Sequence, residues 1–78
     1  MMKVRFTAVI WEEDGTYVSK SPEIDVASAG DTFEEALSNL TEAIELWLVN
    51  ARELGIIDDY LPIITTPEKS TRTIEINV

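Results

Sequence analysis

The stretch ASAGDTFEEALSNLTEAIELWL, residues 27–48, decides the fold. It opens on a turn, sets a threonine three residues ahead of a glutamate, and then runs on without a helix breaker. Thr32 is a natural N-cap. Its hydroxyl can accept a hydrogen bond from the backbone N–H of Glu35, and the Glu35 side chain can return one. Asp31, Glu34 and Glu35 put negative charge where the helix dipole is positive. Phe33, Ala36, Leu37, Leu40, Ile44, Trp47, Leu48, Ala51 and Leu54 follow at three- and four-residue steps, one apolar stripe that faces a core. Ser38, Asn39, Thr41, Glu42, Glu45 and Asn50 take the other faces. Gly55 suits the left-handed position that ends a helix with least strain. The spacing predicts a helix over residues 33–54, about 33 Å long at a rise of about 1.5 Å per residue.

Upstream the period changes to two. Val4, Phe6, Ala8 and Ile10 alternate with Lys3, Arg5, Thr7 and Val9, the pattern of a strand with one buried face. Asp14-Gly15 is a strong hairpin-turn signal. TYVSK gives a second strand, stopped at Ser21-Pro22 because proline has no N–H for a ladder. IDVAS is a third strand, and Gly30 after it is free to take a positive φ in the turn to the helix. Downstream of the helix, Pro62 and Pro67 argue against another regular helix. The segment is expected to cross back to the sheet, with Ile57, Tyr60, Leu61 and Ile63 covering an open edge of the core. TRTIEINV then alternates as a last strand. The expected architecture is α+β: an antiparallel three-stranded meander, one long helix packed on the sheet and a C-terminal strand, in the order β-β-β-α-β. Residues 1–78 make a single domain, with no internal repeat.

Composition narrows the function. Neither cysteine nor histidine occurs. Thiol nucleophiles, imidazole bases, zinc fingers and most transition-metal sites therefore lack their residues. Fifteen acids against six bases give a net charge of −9. Phosphate binding needs the opposite sign, so neither nucleic acid nor an anionic membrane is an expected partner. Solubility and a basic protein partner both fit such a surface. No stretch reaches membrane-spanning length, and MMKVRFTAVIW alternates instead of forming a leader's apolar run, so a cytoplasmic protein is expected. A chain this short buries only about 60 % of its unfolded surface, and oligomerisation is a common remedy.

Acids are the only abundant reactive groups. Glu12, Glu13 and Asp14 form one run, and Asp58 and Asp59 another, but neither has the spacing of a calcium loop. Adjacent acids at a hairpin tip ordinarily face water. No nucleophile elbow, phosphate loop or lysine-centred motif is present. Catalytic residues, cofactors and metals are therefore not expected. Trp47 sits in the helix stripe and reads as core. Trp11 ends the first strand on its polar-leaning side. It marks either a contact surface, where tryptophan is enriched, or a ring covered by the segment 56–66.

Residues 17–48, about two-fifths of the chain, resemble the signature of HicB-like antitoxins. The matching features are Tyr17 in a strand, Pro22-Glu23, Gly30-Asp31-Thr32, Glu34-Glu35-Ala36, and Glu42-Ala43-Ile44 followed by Trp47. The resemblance implies a partial ribonuclease H-like fold that is commonly homo-oligomeric. It also implies a partner, a small basic HicA-type ribonuclease toxin, neutralised by binding. Three features depart from the family, one being that the segment GIIDDYLPIITTPEKS is longer and more apolar than expected. No DNA-binding segment follows the last strand, so direct operator binding is not expected. The turn after Pro22-Glu23 lacks the usual Pro-Gly pair.

The resulting expectation is a protein that masks a basic toxin sterically and electrostatically, without chemistry of its own. Trp11, Glu12, Glu13, Asp14, Glu23, Asp58 and Asp59 are the candidate contact residues. The alternatives are a stand-alone homo-oligomeric module without a toxin and, more remotely, a metal-dependent nuclease.

Overall fold

A computed structural model describes residues 3–78. Three strands, β1 (Val9–Glu13), β2 (Thr16–Ser21) and β3 (Val26–Gly30), form an antiparallel sheet in the order β1-β2-β3. A long helix, α1 (Phe33–Leu54), and a short one, α2 (Ile57–Ile64), follow. The class is α+β.

The first turn has the chemistry its sequence announces. Asp14 (φ 50°) and Gly15 (φ 83°) both sit at positive φ. A two-residue loop of this kind matches the strands' right-handed twist. It closes on the pair Glu13 and Thr16 and sets the register, with Trp11 opposite Val18 and Val9 opposite Lys20. The ladder stops there. The next positions would bring residues 7 and 8 toward Ser21 and Pro22, where β2 ends and proline offers no donor. β1 therefore starts at Val9, later than the alternation from Lys3 predicts. The N–H of Thr7 finds the Glu23 carboxylate instead, at 2.9 Å.

Helix α1 begins and ends where its sequence sets it. The Thr32 hydroxyl accepts the Glu35 N–H at 3.1 Å. Glu35 returns a bond one residue earlier than a capping box does, accepting the Asp31 N–H at 3.4 Å. Gly55 is left-handed (φ 72°). Gly55 N–H donates to the Arg52 carbonyl and Ile56 N–H to the Ala51 carbonyl, the paired bonds of a Schellman end. Ala36, Leu40 and Ala51 are buried along the stripe, whereas Phe33 and Leu54 at its ends are exposed.

Small residues let α1 lie close on the sheet. Gly30 closes β3 without a positive φ, contrary to the turn geometry its sequence implied. Its role is space: a Cβ there would stand 2.6 Å from the Ala36 nitrogen and 2.8 Å from the Glu35 carbonyl carbon. Ser19, fully buried, donates its hydroxyl to the Ala36 carbonyl at 2.9 Å.

Two expectations about the C-terminal third fail. Residues 57–64 are helical despite Pro62. Proline, the sixth of the eight residues, removes one intrahelical bond, to the carbonyl of Asp58. Asp58 and Asp59 suit the dipole at the helix's N-terminal end. The Thr65 and Thr66 hydroxyls donate to the Leu61 and Pro62 carbonyls at its other end. The inward face is Ile57, Tyr60, Leu61 and Ile64, at helical spacing. Ile64 is buried and Ile63 exposed. Tyr60 meets Trp47 edge-on at 4.9 Å, and Phe6 meets Trp47 at 6.4 Å. The second failure is the last strand. Residues 71–78 lie in no strand, and their backbone bonds to nothing among the described residues.

Candidate binding surface

Paired residues of a sheet share a face, and successive residues alternate. Ser19 lies under α1, so its partners Ile10 and Ser28 belong to the helix side. The other face therefore carries Val9, Trp11, Glu13, Val18, Lys20, Ala27 and Ala29. Neither helix covers it. Val9 is 40 % and Trp11 38 % exposed. Of the two readings of Trp11, the exposed one holds, since α2 covers Trp47 instead.

Trp11 is fixed in place. Its indole Nε1 donates to Glu13 Oε1 at 3.0 Å, between i and i+2 neighbours on the open face. This leaves the second Glu13 oxygen unengaged among the described residues. Glu12 points to the helix side beyond its end, opposite Tyr17, and Asp14 occupies the turn. All four residues are exposed at one end of the sheet. Only Glu13 shares the open face with the indole and bonds to it; Glu12 lies on the opposite face and Asp14 in the turn.

Asp58 and Asp59 are exposed too, but they belong elsewhere. They lie at the start of α2, whereas Glu12–Asp14 close β1 at its turn. The fold does not bring the two acidic runs together.

Glu23 is not a surface acid, which corrects the expectation that it contacts a partner. Its side chain is 4 % exposed. It accepts bonds from Thr7 N–H (2.9 Å), Thr7 Oγ1 (2.6 Å) and Ser21 Oγ (3.1 Å), and pairs with Lys69 Nζ at 3.0 Å. Desolvation pushes its pKa up and is the largest single influence. The hydrogen bonds from Thr7 and Lys69 together outweigh it and bring the value from 4.5 down to about 2. Lys69 also donates to the Arg5 carbonyl. Glu23 thus ties residues 5–7, the β2–β3 turn and residue 69 together. Nothing in the sequence pattern identifies this role, because Thr7 and Lys69 lie far from Glu23 along the chain.

Asp25 forms the remaining ion pair, with Lys20 at 2.9 Å on the surface. The hydrogen bond and charge of Lys20 lower its pKa. It sits at φ 54°, in the turn before β3. Among the described residues no three acidic side chains converge on a possible cation site. No helix there is long and apolar enough to cross a membrane. No family model matches the chain, and neither does any curated protein or solved structure.

Proposed function

We propose that this chain is a binding protein of the HicB-like antitoxin type, which masks a small basic HicA-type ribonuclease toxin and does no chemistry itself. The observation that supports the reading is the hairpin end of the open sheet face. There Trp11, held by Glu13, stands exposed on the open face, next to the turn that carries Asp14. A guanidinium of a basic partner can lie on the indole and meet carboxylates at its rim. The charge of −9 would speed encounter with such a partner. In this reading the last strand forms only when a partner lies beside it.

Co-expression with the product of a neighbouring short, basic reading frame tests the proposal. The expected result is a stable mixed complex by size-exclusion chromatography with light scattering, lost in Trp11→Ala combined with Glu13→Lys. A complex indifferent to both substitutions would remove the hairpin end from the mechanism.

A second reading, a stand-alone homo-oligomeric module, is favoured by a different observation. Val9, Trp11, Val18, Ala27 and Ala29 make the open face largely apolar. A second copy of the chain could cover such a face.

A further inference from the structure

Residues 74–78 carry a strand pattern with nothing to pair it. Ile74 is 82 % and Ile76 75 % exposed, and Val78 is fully so. The chain is anchored just before them. Lys69 is held by Glu23 and the Arg5 carbonyl, and Thr71 shares a hollow with Thr7. Thr71, Arg72 and Thr73 then border a second hollow, of about 650 Å³, with Ala8, Val9 and Ile10 across it. The tail thus runs the same way as the N-terminal segment. Thr71–Thr73 face the stretch Ala8–Ile10, so the residues beyond Thr73 lie past Val4 and Phe6.

The complementary surface is on the same chain, out of the tail's reach. Val4, Phe6 and Ala8 form one bank of a trough whose floor is Leu37, Leu40 and Ile44. Ala8 and Leu37 also line the larger hollow, so the two hollows are continuous. β1 is an edge strand. In a two-residue hairpin the closing pair is the hydrogen-bonded one. Glu13, Trp11 and Val9 therefore turn their backbone groups toward β2, and Ile10 and Ala8 turn theirs outward, unpaired.

From these two features we infer that the chain self-associates by exchanging tails: residues 74–78 of each copy lie as a strand in the trough of the other. The inference rests on the self-associating reading above. Side-chain chemistry agrees at each position. With Ile74, Ile76 and Val78 turned to the trough floor, as Val4 and Phe6 already are, Glu75 falls on the opposite face. Lys3 and Arg5 share that face, exposed. An otherwise acidic chain thus meets its own tail at a locally basic strand.

Sedimentation of the full chain across micromolar to millimolar concentration tests the exchange, with two variants alongside. The wild type is expected to be a dimer. Ile74→Asp with Ile76→Asp should weaken the dimer by about a hundredfold or more, because the trough would have to desolvate two carboxylates. Neither isoleucine is packed in its own chain, so circular dichroism and Tm of the dissociated chain should not change. Ala8→Glu, on the trough bank, should weaken the dimer comparably. A dimer that survives either variant overturns tail exchange and leaves self-association standing. A wild type that stays monomeric throughout overturns both.

Discussion

At the scale of single residues, the side chains that hold this fold together are small or charged, and they act through contacts that sequence spacing does not reveal. Glu23 is the clearest case. Its folded pKa of about 2 lies below its ordinary 4.5. A depressed carboxylate pKa contributes stability that is complete above the unfolded value and is lost as pH falls through the folded one. Glu23 therefore contributes fully above about pH 4.5 and loses its contribution on the way down to pH 2, of the order of 3 kcal/mol in all. Acid titrations of urea stability should show this slope in the wild type and lose most of it in Glu23→Gln. Gly30 makes a different prediction from Gly15. Gly30→Ala forces a methyl against the backbone of Ala36 and Glu35, which cannot yield without lifting α1 from β3. A loss of about 1–3 kcal/mol in urea unfolding is expected. At Gly15 the space is open, and alanine there meets only the positive φ, so the loss should be about 1 kcal/mol.

At the scale of elements, legibility tracks how local the determining physics is. α1 was readable to its ends because its cap, its stripe and its closing glycine are all local. Thr32→Ala should cost about 1 kcal/mol by removing the acceptor for Glu35 N–H. In a domain of this size that lowers Tm by roughly 4–8 °C per kcal/mol, which calorimetry resolves. The meander was readable for the same reason, from Asp14-Gly15 and from Pro22. α2 was obscured by the rule that proline breaks a helix. Pro62, the sixth of the eight residues, removes one bond to the Asp58 carbonyl, and burial of the inward face outweighs that loss. The signal against the rule was present in Ile57, Tyr60, Leu61 and Ile64, spaced one, four, five and eight along the element. Pro62→Ala should restore the missing donor and stabilise the domain by about 1 kcal/mol, the gain being reduced because proline also stiffens the unfolded chain. The last strand could not be judged from alternation alone. TRTIEINV has the correct period, but a strand exists only beside a partner, and which chain supplies that partner lies outside any pattern of spacing.

At the scale of the molecule, charge and shape act together only where the fold collects them. The sequence marked two acidic runs as one kind of feature, and the structure sets them on different elements, the β1–β2 turn and α2. At physiological salt the screening length is about 8 Å, so a charge acts on a docked partner only where it lies near the contact. The two can therefore be told apart. If the hairpin end makes the contact, Glu12→Lys, Glu13→Lys and Asp14→Lys together should slow association with a basic partner by about tenfold or more at low salt and flatten its dependence on salt. Asp58→Lys with Asp59→Lys should lower the association rate only at low ionic strength, through net charge, and leave the dissociation rate alone. Stopped-flow mixing at several salt concentrations separates these outcomes. Equal effects from both runs at physiological salt would mean that the chain attracts its partner by net charge alone, and the open sheet face would then have no special part in recognition. Unequal effects, with Trp11→Ala raising the dissociation rate, would locate the contact where the indole and the carboxylates meet.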